Sequence, residues 1–177
     1  MDVSLEYLED EQIYDRVVDG GILKAKKSLW IATANVKDMR VRMGRRYRSI
    51  VHVLAPAAER GVDVRLLHSA RPSRRFVESL RQRGGSFPMR RCPRTHFKTV
   101  IIDATSMFLG SANLTGAGIG VKKSTRRNFE VGIWTHDNQL IDRVQSLFNL
   151  VWEGEECDTC TLRGDICRGI EDEHEFS

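Results

Sequence analysis

The sequence predicts an α/β fold in which helices cover a mostly buried central sheet. Apolar runs of strand length alternate with amphipathic stretches of helix length, and short links join them. The 177 residues, with a mass of 20.2 kDa, fit one domain with room for a sizeable core. An apolar fraction of 41% and a charged fraction of 29% are typical of globular proteins and argue against a disordered chain. No run approaches the roughly 18–20 apolar residues of a membrane span.

The N-terminal region is predicted to form a helix, a strand and a basic loop. Residues 9–27 have the apolar spacing of an amphipathic helix, although the Gly20-Gly21 pair weakens its middle. The compact apolar run over 28–34 is typical of a buried strand. Residues 37–48 are rich in arginine and are predicted to form a loop.

The central region continues the alternation. A second helix is predicted over 47–60, with a kink or interruption at Pro56. Gly61 ends it, and the run over 62–67 predicts the next strand. A third helix is predicted over 73–83. These elements continue the alternation of helix and strand.

The C-terminal region supplies the remaining elements. Residues 96–111 resemble a strand hairpin, and a further strand is predicted near 128–134. The stretch over 138–152 has the apolar spacing of a final amphipathic helix. We therefore divide the chain into a main domain over 1–152 and an acidic, irregular, cysteine-bearing tail over 153–177.

The charge of the chain is unevenly distributed. Residues 1–20 carry seven acidic and one basic side chain, and residues 153–177 carry nine acidic and two basic ones. The segment 21–152 is left with 25 basic against 8 acidic side chains. Such a basic body favours a polyanionic partner, with nucleic acid ahead of an anionic lipid surface and a merely solvated face as the plain alternative. The acidic ends offer surfaces for docking into a larger complex.

The compartment is inferred from the N-terminal sequence and the cysteines. The first residues are acidic, and no basic segment followed by an apolar stretch indicates a secretory signal, so we expect a cytoplasmic chain. In that compartment four cysteines favour metal ligation over disulfides.

The segment with the clearest chemistry lies in the predicted hairpin. His96 and Lys98 are two residues apart in a strand-like run and therefore share one face. The second strand of the hairpin delivers Gly110, Ser111 and Asn113 beside them. An imidazole can act as a nucleophile or as an acid and base, and the lysine and asparagine can donate to phosphate oxygens. A glycine allows the backbone to approach an anion closely, and none of these groups requires a catalytic metal.

This pattern, H-x-K-x4-D-x6-G-S-x-N, resembles the HKD motif of the phospholipase D superfamily. Every motif position is matched from His96 to Asn113, with Asp103 as the aspartate. The later stretch 127–132 looks like the family's strand with an asparagine and an acid. The resemblance extends over about 140 of the 177 residues and implies the phospholipase D-like layered fold, with a mixed central sheet flanked by helices.

The resemblance implies a mechanism and a role for each matched residue. A motif histidine attacks the phosphodiester phosphorus and forms a phosphohistidine, a second histidine protonates the leaving oxygen, and water releases the phosphate. The implied roles are nucleophile or acid for His96, phosphate binding for Lys98 and Asn113, phosphate contact or support for Ser111, a structural role for Asp103, and orientation of the His96 ring for Glu130. An inactive relative that only binds, or a purely structural histidine–lysine pair, remains the alternative.

The number of motif copies predicts a homodimer. The chain has five histidines, and His96 alone is followed two residues later by lysine. The implied chemistry needs two histidines, so two chains are expected to share one active site, as in the small Nuc-like endonucleases of this superfamily.

The motif does not distinguish a phospholipid substrate from nucleic acid. The arginine content favours nucleic acid. We expect DNA rather than RNA, and no membrane partner. The expected nucleic-acid contacts are Arg40, Arg42, Arg45, Arg46, Arg48, Arg90, Arg91 and Arg94. The alternatives are a phospholipid phosphodiesterase and a catalytically silent nucleic-acid-binding subunit of a larger complex.

The cysteines predict a structural metal centre. The spacing Cys157-x2-Cys160-x6-Cys167, with Cys92 as a fourth thiol, fits an iron–sulfur cluster or tetrahedral zinc, and we favour the cluster. The loop is similar to the cluster loops of iron–sulfur DNA glycosylases, which have other folds. Such a centre would brace the chain four residues before His96. Free thiols are the alternative, and His174 is a substitute for Cys92.

Overall fold

A mixed sheet forms the centre of the molecule in the computed structural model, which describes residues 4–121, 124–164, 166–167 and 171–172. The strands are β1 (Leu5–Glu9), β2 (Ser28–Thr33), β3 (Arg40–Met43), β4 (Arg46–Ser49), β5 (Asp63–His68), β6 (Met89–Arg91), β7 (Lys98–Ile102), β8 (Ser106–Gly110), β9 (Val131–Thr135) and β10 (Glu171–Asp172). Eight of them form one sheet in the order β1-β9-β8-β7-β2-β5-β6-β10, and β3 pairs with β4 separately. Strands β2, β5 and β6 run parallel, and the other neighbours are antiparallel.

Helices cover both faces of the sheet. They are α1 (Glu11–Ile13), which continues as a π-helical turn (Tyr14–Asp19), α2 (Val51–Glu59), α3 (Arg74–Arg83) and α4 (Asn138–Glu153), with 3-10 turns at Ile22–Lys24 and Ser124–Arg126. Helix α4 packs Ile141 and Phe148 against one face, and the remaining helices cover the other. The mixed sheet between helix layers confirms the predicted α/β fold class.

The start and end of α4 are set by its sequence. The Asp137 side chain accepts a hydrogen bond from the Leu140 backbone N–H at 2.8 Å, which satisfies one unpaired donor of the first turn. Gly154 ends the helix in the left-handed conformation, at φ +72°. Along the buried face, the rings of Trp30 and Phe148 stack at 5.2 Å, and Trp152 continues the stack at 5.6 Å.

Two predicted elements differ in the structure. The predicted helix over 9–27 is shorter, because residues up to Glu9 form the edge strand β1 and the helical turns end at Asp19. A separate 3-10 turn follows at Ile22–Lys24. The predicted basic loop over 37–48 contains the β3–β4 hairpin, with Gly44 at φ +62° in its turn. Its alternation is hidden because exposed arginines occupy four of the eight strand positions, and only Val41 and Ser49 of the two strands are buried.

Two further segments refine the prediction. Helix α2 begins at Val51 rather than 47 and continues through Pro56. The tail forms turns beyond Gly154, and β10 joins the sheet beside β6. Within the described ranges, no helix is both long and apolar enough to cross a bilayer.

Candidate active site

His96 and Lys98 lie at the start of β7. The Lys98 ammonium donates to the His96 carbonyl oxygen at 2.7 Å, and its Nζ lies 3.5 Å from His96 Nδ1. His96 is exposed, and Lys98 is half-buried. An imidazole and an ammonium are thus presented together at the edge of the sheet that the strand ends form, where a ligand from solvent can reach them.

Ser111 reaches the same edge because β8 pairs with β7. Lys98 lies opposite Gly110, so the next residue, Ser111, follows at the same end. The Ser111 hydroxyl donates to the Glu130 carboxylate and accepts from the Val131 backbone N–H at 3.1 Å. The hydroxyl therefore has a fixed orientation.

Glu130 is buried, with 6% of its surface exposed, and both its side chain and its backbone are hydrogen-bonded. Besides Ser111, the Asn128 amide donates to it at 3.1 Å, and the Glu130 backbone N–H donates to Asp10 at 3.1 Å. Its carboxylate contacts Ser111 rather than the His96 ring. The orientation of His96 by Glu130 stays a prediction.

Asn113 is held above the end of β2. Its amide oxygen accepts from the Thr33 hydroxyl at 3.2 Å and from the Asn35 backbone N–H at 3.0 Å. With the oxygen engaged, the Nδ2 group is the part of the amide that can donate to a phosphate oxygen. The Thr33 hydroxyl also accepts from the Leu114 backbone N–H at 3.0 Å, which fixes this corner of the site.

Asp103 lies at the opposite end of β7, roughly 20 Å from His96 by strand rise. Its carboxylate accepts from the backbone N–H groups of Lys26, Lys27 and Ser28 at 2.6–3.1 Å. Partial burial raises the pKa of Asp103, but these hydrogen bonds outweigh it and hold the pKa below the ordinary value of 3.8. The residue ties the β7–β8 turn to the start of β2.

We expect Asp103→Asn to lower the free energy of unfolding by about 1–2 kcal/mol at neutral pH. Asparagine tolerates the φ of +53° at this position, so the change isolates the charge. Because the folded pKa is depressed, the advantage of wild type is full above the unfolded pKa of about 3.9 and is lost as pH falls through the folded pKa. Denaturant unfolding at several pH values measures this, and an equal difference at pH 7 and pH 2 would contradict it.

Gly110 is required by packing. A Cβ there would lie 2.7 Å from the Phe108 ring and 2.8 Å from the Gly132 Cα. The two glycines face each other across β8 and β9, and the Phe108 ring fills the space above them. The expected close approach of an anion is therefore not needed to explain this glycine.

A groove leads away from Asn113. Two cavities of about 630 and about 800 Å³ share Asp38, Arg75 and Gly116 in their walls. Asn113 lines the first cavity, and Arg40 lines the second. The groove therefore connects a motif residue to the arginine-rich hairpin. Its other basic and aromatic lining residues are Lys37, Arg74 and Tyr47.

The predicted nucleic-acid arginines fall into two groups. Those of the first group lie on or between β3 and β4 and are exposed, and of these Arg42 also pairs with Asp19 at 2.6 Å: Arg40, Arg42, Arg45, Arg46 and Arg48. Those of the second group contact protein: Arg90 the Trp152 carbonyl, Arg91 the Ser69 carbonyl at 3.1 Å, and Arg94 the Glu156 carboxylate at 3.4 Å. The second group is thus hydrogen-bonded to α4, to the segment after β5 and to the tail.

The four cysteines line a single cavity of about 280 Å³ at the base of the tail. Each of Cys92, Cys157, Cys160 and Cys167 is half-buried and free of disulfides. Among the residues that the structure describes, no three metal-binding side chains converge on one ion. His174, the alternative ligand, lies outside the described residues.

Sequence reasoning missed the residues that support the site. Asp10 holds the Glu130 backbone across 120 positions, and Thr33 holds Asn113 across 80. Asp10 adopts φ +44°, an uncommon conformation that lets both its backbone and side chain bond Glu130. Neither residue belongs to a recognisable motif, so contact in three dimensions is the only signal that finds them.

Comparison with protein families matches residues 20–152 to the family described as "Cardiolipin synthase, PLD-like domain". Cardiolipin synthase A from Pseudomonas putida strain W619 is 33% identical over 113 residues, covering 59% of this chain and 22% of the relative. The same enzyme from strain GB-1 is 33% identical over 109 residues, covering 57% and 22%. The chain thus spans about a fifth of the length of these curated relatives.

Solved structures share the fold. Nuc from Salmonella typhimurium, a phospholipase D family member, superposes with a TM-score of 0.62 at 21% identity, covering 86% of this chain and 95% of that one. NucT from Helicobacter pylori gives 0.59 at 19% identity, covering 85% and 97%. An archaeal chromatin protein gives 0.51 at 16% identity, covering 83% and 52%.

The layered fold, with the histidine, lysine and asparagine at one end of the strands, is that of a phospholipase D-like domain. The chain belongs to the phospholipase D-like domain family that includes cardiolipin synthase. The matched residues 20–152 run from the first 3-10 turn to α4.

Proposed function

We propose that this enzyme cleaves phosphodiester bonds of nucleic acid through a phosphohistidine on His96. The observation that carries the choice of substrate is the groove from Asn113 to the arginine hairpin. Arginine forms bidentate contacts with phosphate, and a groove of this kind suits a polymer with repeated phosphates better than one lipid headgroup. The exposed Tyr47 ring in the same groove offers a surface for base stacking.

The proposed reaction has two steps. The His96 imidazole attacks phosphorus, an N–P bond forms, and the P–O bond to the leaving nucleotide breaks. The His96 of a second copy protonates the leaving oxygen, then takes a proton from water as the water oxygen attacks phosphorus and the N–P bond breaks. The Lys98 ammonium and the Asn113 amide stabilise the charge that develops on the other phosphate oxygens.

The second copy is part of the proposal because each chain holds one motif histidine with its lysine. An apolar surface beside the site supports an interface there. Phe129 is 97% exposed and Val131 is 50% exposed, and they flank the buried Glu130. Exposed apolar side chains grouped near polar site residues are typical of interfaces, and a two-fold axis there would bring two copies of the site together.

A substrate panel tests the function. Plasmid, single-stranded DNA, RNA and phosphatidylcholine or cardiolipin vesicles are each incubated with the protein and EDTA. We expect nucleic acid to be cut with chelator present and the lipids to be unchanged. Release of a lipid headgroup without nuclease activity would favour the phospholipid alternative, and binding without turnover of any substrate would favour the silent subunit.

The groove predicts which arginines hold the nucleic acid. In a His96→Ala background, which keeps the substrate intact, we expect Arg74→Ala with Arg75→Ala to weaken oligonucleotide binding about tenfold at low salt. The slope of log K against log salt should fall by about 2, since two phosphate contacts are lost. Fluorescence anisotropy across a salt series measures both.

The matched control for the arginine pair is Arg143→Ala, an exposed arginine on α4 at the opposite face of the sheet. It should leave both the affinity and the salt slope nearly unchanged. An equal loss in the control and in the groove variant would mean that binding depends on overall charge and not on the groove.

A further inference from the structure

The tail beyond Glu153 folds onto the domain with little apolar burial of its own. Over residues 154–164 and 166–167 none is fully buried, and Ile166 is largely exposed. The half-buried ones are Gly154, Leu162 and the three tail cysteines. A segment with so small a core usually needs a covalent or metal cross-link to hold one conformation.

The cavity at the base of the tail collects all four cysteines from two distant parts of the chain. Cys92 comes from the end of β6, and the other three come from the tail. Phe97 and Val151 close the apolar side of the cavity. Thiols that are 65 or more positions apart in sequence therefore share one enclosure of about 280 Å³.

The tail backbone is folded around these thiols. The Cys167 backbone N–H donates to the Leu162 carbonyl at 3.1 Å, and the Gly164 N–H donates to the Cys167 carbonyl at 2.8 Å. Gly164 adopts φ +98°, which closes this reverse turn. Cys160 and Cys167 both line the cavity, and this turn lies between them.

We propose that this cavity binds a metal centre through the thiolates of Cys92, Cys157, Cys160 and Cys167. Four thiolates suit either one zinc ion or an iron–sulfur cluster. The cysteine spacing in the sequence makes the iron–sulfur cluster the occupant that we expect. The proposal stands on the cavity between the tail and the end of β6 and does not depend on the proposed nuclease activity.

The centre would fix the approach to the catalytic histidine. The Cys92 N–H donates to the His68 carbonyl at 2.9 Å, and the Thr95 N–H donates to the Cys92 carbonyl at 2.9 Å. Thr95 is buried and directly precedes His96. A metal bound to Cys92 therefore cross-links the tail to the turn that presents the imidazole.

The experiment is elemental analysis of the full chain, expressed with added iron and purified without oxygen or chelator. We expect about four iron and four sulfide per chain with visible thiolate–iron absorbance. One zinc per chain with a colourless solution supports the same four-thiolate site and identifies the ion. Cys92→Ser, Cys160→Ser and Cys167→Ser should each lower metal content about tenfold, and full metal content in Cys92→Ser would remove Cys92 from the ligand set.

Thr159→Ala is the control, because this exposed residue lies between two of the cysteines. It should keep the full metal content. Since a cysteine variant that fails to fold would also lose metal, the wild-type stoichiometry is measured first and stands by itself. Metal-free wild-type protein would overturn the proposal in either of two cases. In the first, all four thiols react with a thiol reagent in the folded state. In the second, the intact mass reports disulfides.

Discussion

Replacing His96 with alanine is expected to lower phosphodiester cleavage by at least about 1,000-fold, because the proposed reaction loses both its nucleophile and its general acid in every dimer. Folding should be unaffected, because the His96 ring is exposed. The backbone carbonyl oxygen of His96, which the substitution keeps, accepts the 2.7 Å hydrogen bond from Lys98. Single-turnover cleavage with EDTA present measures the loss, and circular dichroism with thermal unfolding checks the fold.

The control for His96 is His136→Ala. His136 is also exposed and also bonds its neighbours, but it lies beside Thr105, at the Asp103 end of the β7–β8 hairpin. It should keep nearly full activity. Trapping of a phosphorylated protein by acid quench should succeed with wild type and fail with His96→Ala. Full activity of the His96 variant would refute the phosphohistidine mechanism.

Phe129→Asp is expected to convert the dimer to a monomer and to reduce cleavage by about 100-fold or more at micromolar protein. An aspartate in the middle of an apolar interface is desolvated without a partner, which disfavours association strongly. The residue is 97% exposed in the single chain, so the variant should fold normally. Sedimentation velocity and the dependence of specific activity on protein concentration measure the effect.

Leu23→Asp supplies the comparison for Phe129. Leu23 is also a partly exposed apolar residue, but it belongs to the 3-10 turn next to the segment that contacts Asp103, at the other end of β7. It should leave association and cleavage near wild-type levels. A Phe129→Asp protein that stays dimeric and active would place the interface elsewhere. Wild-type protein that is monomeric and active at every dilution would remove the need for a shared site.

The fold class and the motif hairpin could be predicted because their signals are local. Val and Ile residues around Lys98 read as a buried strand, and β7 with β8 forms the hairpin at that position. The strand β1 could not be predicted in the same way. Its exposed Leu5 and Tyr7 are not part of a buried apolar alternation, and its pairing with β9 depends on residues about 130 positions away.

The partly predicted features have a common physical origin in distant contacts. Sequence identifies Glu130 and Asn113 as site residues, but the structure adds what holds them: Asp10 for the first and Thr33 for the second. Charge alone assigned Arg90 to nucleic acid, whereas the Trp152 ring and carbonyl engage it in the fold. The sequence shows that a side chain is basic, but it does not show which neighbouring group neutralises or covers its charge.

The strand β7 has two ends with different properties. At one end the Asp103 carboxylate joins three backbone amides from a segment 75–77 positions away. At the other end His96 is open to solvent. The five residues of β7 separate the anchored turn from the exposed histidine. A substitution that loosens the turn should therefore lower the stability of the protein without altering its chemistry. A substitution at the His96 end should alter the chemistry without lowering the stability. Substitutions that adapt this domain to a new phosphodiester can therefore accumulate at one edge while the anchor keeps its residue.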